Sequence, residues 1–71
     1  MRYLVVIIED PEDGGYNASC PALPGCHSEG ATIEEATDGI REAIACYLES
    51  LDLDGLPAPG HPPVITEVEV A

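Results

Sequence analysis

One stretch constrains this chain more than any other: a capped, amphipathic run from Thr32 to about Gly55. Thr32 and Glu35 make T-x-x-E, the pattern in which two side chains reciprocally satisfy free backbone N–H groups at a helix start. Glu34 and Glu35 fall in the first turn, where the helix dipole favours negative charge. Ile33, Ala36, Ile40, Ala43, Ile44, Tyr47, Leu48 and Leu51 recur at helical spacing and form one apolar stripe. Glu34, Asp38, Arg41, Glu42, Glu49 and Asp52 fall on or near the other side. Gly39 costs about 0.5–1 kcal/mol against Ala inside a helix, or marks a close contact. Gly55 suits the stop, with Pro57 beyond it.

The remaining chain reads as strands and turns. Tyr3–Ile8, YLVVII, is β-branched and aromatic and ends at Glu9-Asp10-Pro11, which predicts a strand. DPEDGG over 10–15 is a strong turn signal, and a weak candidate for a cation loop. Tyr16, Ala18 and Cys20 then alternate with Asn17 and Ser19, predicting a second strand that closes an antiparallel hairpin. PALPGC over 21–26 is a turn. A short third strand fits around His27–Ala31, with Gly30 weakening it or marking a bulge. PAPGHPP over 57–63 reads as a stiff loop. VITEVEV over 64–70 reads as a last, half-exposed strand, with Val64, Thr66, Val68 and Val70 on one face.

The expected fold class is therefore α+β. The order is β-β-β-α-β in a single domain over 1–71: a mainly antiparallel four-stranded sheet, with one helix on one face. A right-handed crossover brings the last strand beside the first and gives the sheet order 3-2-1-4. One helix covers one face only. The central strand is apolar on both faces, so either Tyr3, Val5 and Ile7 or Leu4, Val6 and Ile8 are left to a second copy or a partner. A homo-oligomer, dimer or higher, is expected.

Charge narrows the partners. With Lys+Arg 2 and Asp+Glu 14 the formal net charge is −12. Phosphate contacts need cations, so direct nucleic-acid binding is not expected, and anionic membranes are equally unsuitable. Cationic surfaces or metal ions suit such a field. At 45% hydrophobic residues the chain can still build a core. The run Tyr3–Ile8 is too short for a signal core or a membrane span. Three cysteines, Cys20, Cys26 and Cys46, cannot make a closed disulfide framework, and the cytoplasm is the expected compartment.

Several spaced motifs lie on these elements: G-G-Y at 14–16, P-x-L-P-G-C at 21–26, E-G-x-T-x-E-E-A at 29–36 and I-x-x-Y-L-E at 44–49. Together they resemble the HicB family of antitoxin domains over nearly the whole chain. The resemblance implies a β-β-β-α-β domain related to a partial RNase H fold. It implies a small basic mRNA-cleaving toxin of the HicA type as partner, bound and blocked in a stoichiometric complex. Many family members add a C-terminal DNA-binding domain. This sequence reaches Ala71 directly after the last expected strand, with Arg2 and Arg41 its only Lys or Arg residues, so operator binding is not expected of it.

Other chemical readings fit these residues less well. A metal-dependent RNase H-like nuclease needs an acid inside the first strand, one on the helix and one near the last strand. Tyr3–Ile8 holds none; Glu9 and Asp10 stand at its end, and Glu67 and Glu69 are expected to face away from the helix. A zinc site on Cys20, Cys26 and His27 would need Cys46 or His61 as fourth ligand and lacks knuckle spacing. Cys20 and Cys46 read more simply as small core residues, and Cys26 as a turn residue. His27 cannot easily activate Cys26, since neighbouring strand residues point to opposite faces. His27 and His61 read as surface or loop residues.

The expectation is thus a non-enzymatic binding module with no cofactor and no metal. Its partner surface would be built from Glu9, Asp10, Glu12, Asp13, Glu34, Asp38 and Glu42. The other readings are the nuclease and a solitary oligomeric domain without a toxin.

Overall fold

The computed structural model describes residues 2–55 and 63–71. In chain order it contains β1 (Val6–Glu9), β2 (Tyr16–Ser19), β3 (His27–Gly30) and α1 (Ile33–Leu53). The strands form one antiparallel sheet in the order β1-β2-β3, with α1 packed mainly on β3 and β2 and least on β1. The α+β class and the meander agree with the sequence reading.

The fourth strand and the order 3-2-1-4 do not appear among the described residues. Residues 64–70 join no ladder, and Val64, Val68 and Val70 are 92%, 80% and 88% exposed. The physical reason is that alternation records which side of a segment would be buried, not which edge it pairs with. That second choice is made by contacts distant in sequence. The first strand is also shorter than its apolar run, since residues 3–5 precede the ladder. Residues 57–62 of the expected loop, with His61, lie outside the described residues.

Turn chemistry joins the strands. The β1–β2 connection is closed by the Asp10 N–H donating to Gly15 O at 3.0 Å. Asp10 Oδ1 accepts from the N–H groups of Glu12 (2.9 Å) and Asp13 (3.2 Å), so this carboxylate builds the turn it sits in. Gly14 and Gly15 have φ of 72° and 79°, a backbone that favours glycine.

In PALPGC, the Leu23 N–H donates to Cys20 O and the Cys26 N–H to Leu23 O, making two successive turns. The Cys20 N–H to Cys26 O bond closes them, each bond 3.0 Å long. Pro24 and Gly25, the latter at φ 81°, take the two central positions of the second turn as a type II turn requires. The result drives Leu23 inward until it is 0% exposed. It joins Ala18, Cys20, Cys26, Ala36 and Ile40 in a wholly apolar core. Cys26 is therefore a core residue rather than a mere turn residue. Burial raises its thiol pKa, and the neighbouring Cys20 adds to the effect.

The helix starts as expected. Thr32 Oγ1 accepts from the Glu35 N–H (3.1 Å), while Glu35 Oε2 reaches back to the Ala31 N–H (2.8 Å), one residue earlier than in the simplest capping box. It stops at Asp54, and Gly55 follows at φ 71°. Two glycines set how closely it approaches the sheet. A Cβ on Gly39 would collide with Ser28 Oγ, and a Cβ on Gly30 would fall 2.5 Å from the Ala36 backbone nitrogen. Gly39 therefore marks a contact. Gly30 marks an approach rather than a bulge, since it pairs in register with Tyr16.

Two burial assignments need correction. Cys46 is exposed: six residues past Ile40, it lies about 120° off the buried line at 3.6 residues per turn. Ile33 is in line but 53% exposed, because it is the first residue of the helix.

Candidate partner-binding surface

The register decides which sheet face is open. Tyr3, Val5, Ile7 and Tyr16 pack against the core under the helix, so Leu4, Val6 and Ile8 point away from it. Across the ladder, Val6 stands opposite Ser19 and Ser19 opposite His27; Ile8 stands opposite Asn17 and Asn17 opposite Glu29. The outer face is thus two cross-strand rows, each apolar at β1 and polar beyond it. It forms a shallow depression of about 560 Å³ that includes Ile8, Asn17, Ser19, His27 and Glu29. Ile8 is 62% exposed there.

The seven acids named from the sequence fall into two groups. Glu9, Asp10, Glu12 and Asp13 sit at the end of β1 and in the turn after it. This turn lies beside the end of β3, and Asp10, Asp13, Tyr16, Asn17 and Glu29 contribute to one cleft of about 330 Å³. Tyr16 also shares a depression with Thr32 and Glu34, which brings the start of α1 to the same end of the molecule. Asp38 and Glu42 follow Glu34 at four-residue steps and run away from that end along the exposed side of α1. Asp38 is bound by Arg41 at 2.8 Å. Both side chains are largely exposed, so the pair contributes at most about 1 kcal/mol.

Glu29 is the acid that the sequence reading missed. It lines both the outer depression and the hairpin-end cleft. The signal was present in H-S-E-G: small Ser28 and Gly30 suit the helix side, which sends His27 and Glu29 outward. His27 is exposed, as expected of it. Among the described residues, no three His, Cys, Asp or Glu side chains come together as a metal site. No helix among them is long and apolar enough to cross a membrane.

An acidic, cleft-bearing end on a three-stranded sheet with one helix can bind a cationic surface through several carboxylates at once. Comparison with known proteins places this arrangement. A family model described as the HicB_like antitoxin of bacterial toxin-antitoxin systems matches residues 3–69. The chain belongs to the HicB-like antitoxin family. Its relatives include a UPF0150 protein of Synechocystis sp., 45% identical over 65 residues that cover 92% of this chain and 82% of that one. A UPF0150 protein of Thermoplasma acidophilum is 53% identical over 51 residues, 72% of each chain. Among solved structures, a chain of a HicA3 and HicB3 toxin-antitoxin complex superposes with a TM-score of 0.69 at 29% identity, over 87% of this chain and 70% of that one. The resemblance read from G-G-Y, P-x-L-P-G-C and E-G-x-T-x-E-E-A is therefore shown. These same motifs form the hairpin turn, the Leu23 plug and the helix cap of the HicB-like domain.

Proposed function

We propose that this HicB-like chain is a binding module that neutralises a small basic HicA-type, mRNA-cleaving toxin by forming a stoichiometric complex, and that it binds rather than catalyses. The observation that most supports this is the likeness to a chain of the HicA3 and HicB3 complex within an antitoxin family. The charge agrees with it. At a formal −12, the chain presents to a basic ribonuclease the same sign of field as RNA.

Docking is assigned to the acidic end: Glu9, Glu12 and Asp13 with Glu29, continued by Glu34, Asp38 and Glu42 along α1. Asp10 supports this surface mainly through the turn it holds, and Asp38 shares its charge with Arg41. The open row of Leu4, Val6 and Ile8 adds self-association, as a dimer or higher, to the reading. The setting is the cytoplasm, without direct binding to operator DNA by this chain.

The test is co-expression with a HicA-type toxin, followed by co-purification and stopped-flow association. A one-to-one toxin ratio with restored growth is expected. Glu12→Lys combined with Asp13→Lys lowers the association rate about tenfold at low salt and far less at high salt. Failure to form a complex sinks the reading, and an association rate indifferent to salt sinks the steering. RNA cleavage by the purified chain with Mg²⁺ or Mn²⁺ would replace binding with catalysis.

A further inference from the structure

The helix leaves the β1 margin of the sheet open. A groove of about 380 Å³ runs there between the start of the chain and α1, lined by Tyr3, Val5, Ile40 and Ile44, with Thr37 and Arg41 at its rim. The edge of β1 beside it reads Val-Ile-Ile-Glu and pairs with β2 on one side only. It has no Lys, Pro or bulge to discourage pairing, so it is a template for another strand. The same chain carries a segment coded as a strand and left without a sheet. In VITEVEV, Val64, Val68 and Val70 share one face with Thr66, and all three valines are nearly fully exposed. The radius of gyration of 13.8 Å exceeds the ~11 Å typical of a compact domain of this length, as expected if the tail projects from the body. The exposure of these valines shows that the tail does not fill this groove within its own chain.

We infer that residues 64–70 of one copy add to the free edge of β1 in a second copy, with the valine face in the groove, and that the exchange is mutual. Each copy then completes the order 3-2-1-4 with its partner's strand. A mutual exchange closes on itself as a two-fold dimer and leaves neither tail nor groove unfilled. Glu67 and Glu69 take the outward face, away from the apolar lining. The inference rests on the self-association proposed above and is independent of the toxin. Salt separates the two contacts. Two copies at −12 each repel, so salt tightens this dimer while it weakens a toxin complex held by opposite charge.

The experiment uses the full chain in light scattering across a dilution series, with and without Val68→Pro. Proline locks φ near about −65°, away from the strand value, and removes the branched valine side chain from the apolar face, while Val68 touches little within its own chain. The dimer dissociation constant should rise at least about tenfold, with the circular dichroism of the domain retained. A second variant places Thr66→Cys and Thr37→Cys together in a Cys46→Ser background. Oxidation should give covalent dimers. A parent chain that is monomeric overturns both the exchange and self-association. A dimer indifferent to Val68→Pro overturns the exchange and leaves self-association standing. A cross-link found only within single chains assigns the groove to the chain's own tail and also overturns the inference.

Discussion

Two margins of the same sheet are built in opposite ways. At β3 the helix comes so close that a Cβ on Gly30 would meet the Ala36 backbone and one on Gly39 would meet Ser28 Oγ, and Leu23 is wholly buried in the core. At β1 the same helix stands off, Tyr3, Val5 and Ile44 are only partly covered, and a groove remains. The close margin needs nothing further. The open one has apolar surface to spare and a strand edge without a neighbour. In a domain of 71 residues, which buries only ~60% of its unfolded surface, such a margin is a large share of what could still be gained by association.

The largest expected effect comes from emptying the close margin. Leu23→Ala should destabilise the domain by about 2–5 kcal/mol, enough to unfold much of it, as read by urea titration at a concentration below dimer formation. Ile65→Ala, on the exposed tail, should leave that monomer titration within about 0.5 kcal/mol of the parent. Equal losses at both positions would erase the contrast between the margins.

A smaller effect tests the glycine contact by its sign. At an exposed helix site, Gly→Ala stabilises by up to about 1 kcal/mol. Gly39→Ala should instead destabilise by about 1–3 kcal/mol, because its Cβ meets Ser28 Oγ. Combining it with Ser28→Ala should recover part of the loss in a double-mutant cycle. A stabilised Gly39→Ala would mean that Ser28 Oγ turns aside at little cost and the contact does not limit the helix.

The smallest effect is chemical. Cys46 should react with an alkylating reagent first, while Cys20 and Cys26 wait for unfolding. Because burial raises the Cys26 pKa, the folded chain holds that proton more tightly than the unfolded one. Its contribution is fully present below the unfolded thiol pKa of about 8.5 and is lost as pH rises through the folded value. Urea midpoints should therefore fall on the alkaline side, and Cys26→Ala should flatten that slope. A slope unchanged in Cys26→Ala would place its origin in another group.

These margins also show what could be read in advance. Much of the acidic surface was legible, because charge and helical spacing are properties of the chain itself: Glu34, Asp38 and Glu42 fall on the exposed side of α1 as expected. Two details of it were not. The outward side of Glu29 was signalled by small Ser28 and Gly30, but its place in one cleft with Asp10 and Asp13 needed the strand register, and the turn-building role of Asp10 needed its hydrogen bonds. Burial was legible for Cys20 but not for Cys26, whose inward position depends on two turns closing around Leu23.

By itself the sequence determined the local elements: Thr32 and Glu35 start one helix, Gly55 ends it, Gly14 and Gly15 close a hairpin, and Pro24-Gly25 forms a turn. Each rests on hydrogen bonds or backbone preferences within a few residues, so the order of residues contains it. Tertiary structure alone decided that Tyr3, Val5 and Ile7 face the helix, that Gly39 touches Ser28, and that VITEVEV finds no place in its own sheet. Those outcomes depend on which distant surfaces meet, and a periodic pattern specifies a face without specifying what will cover it.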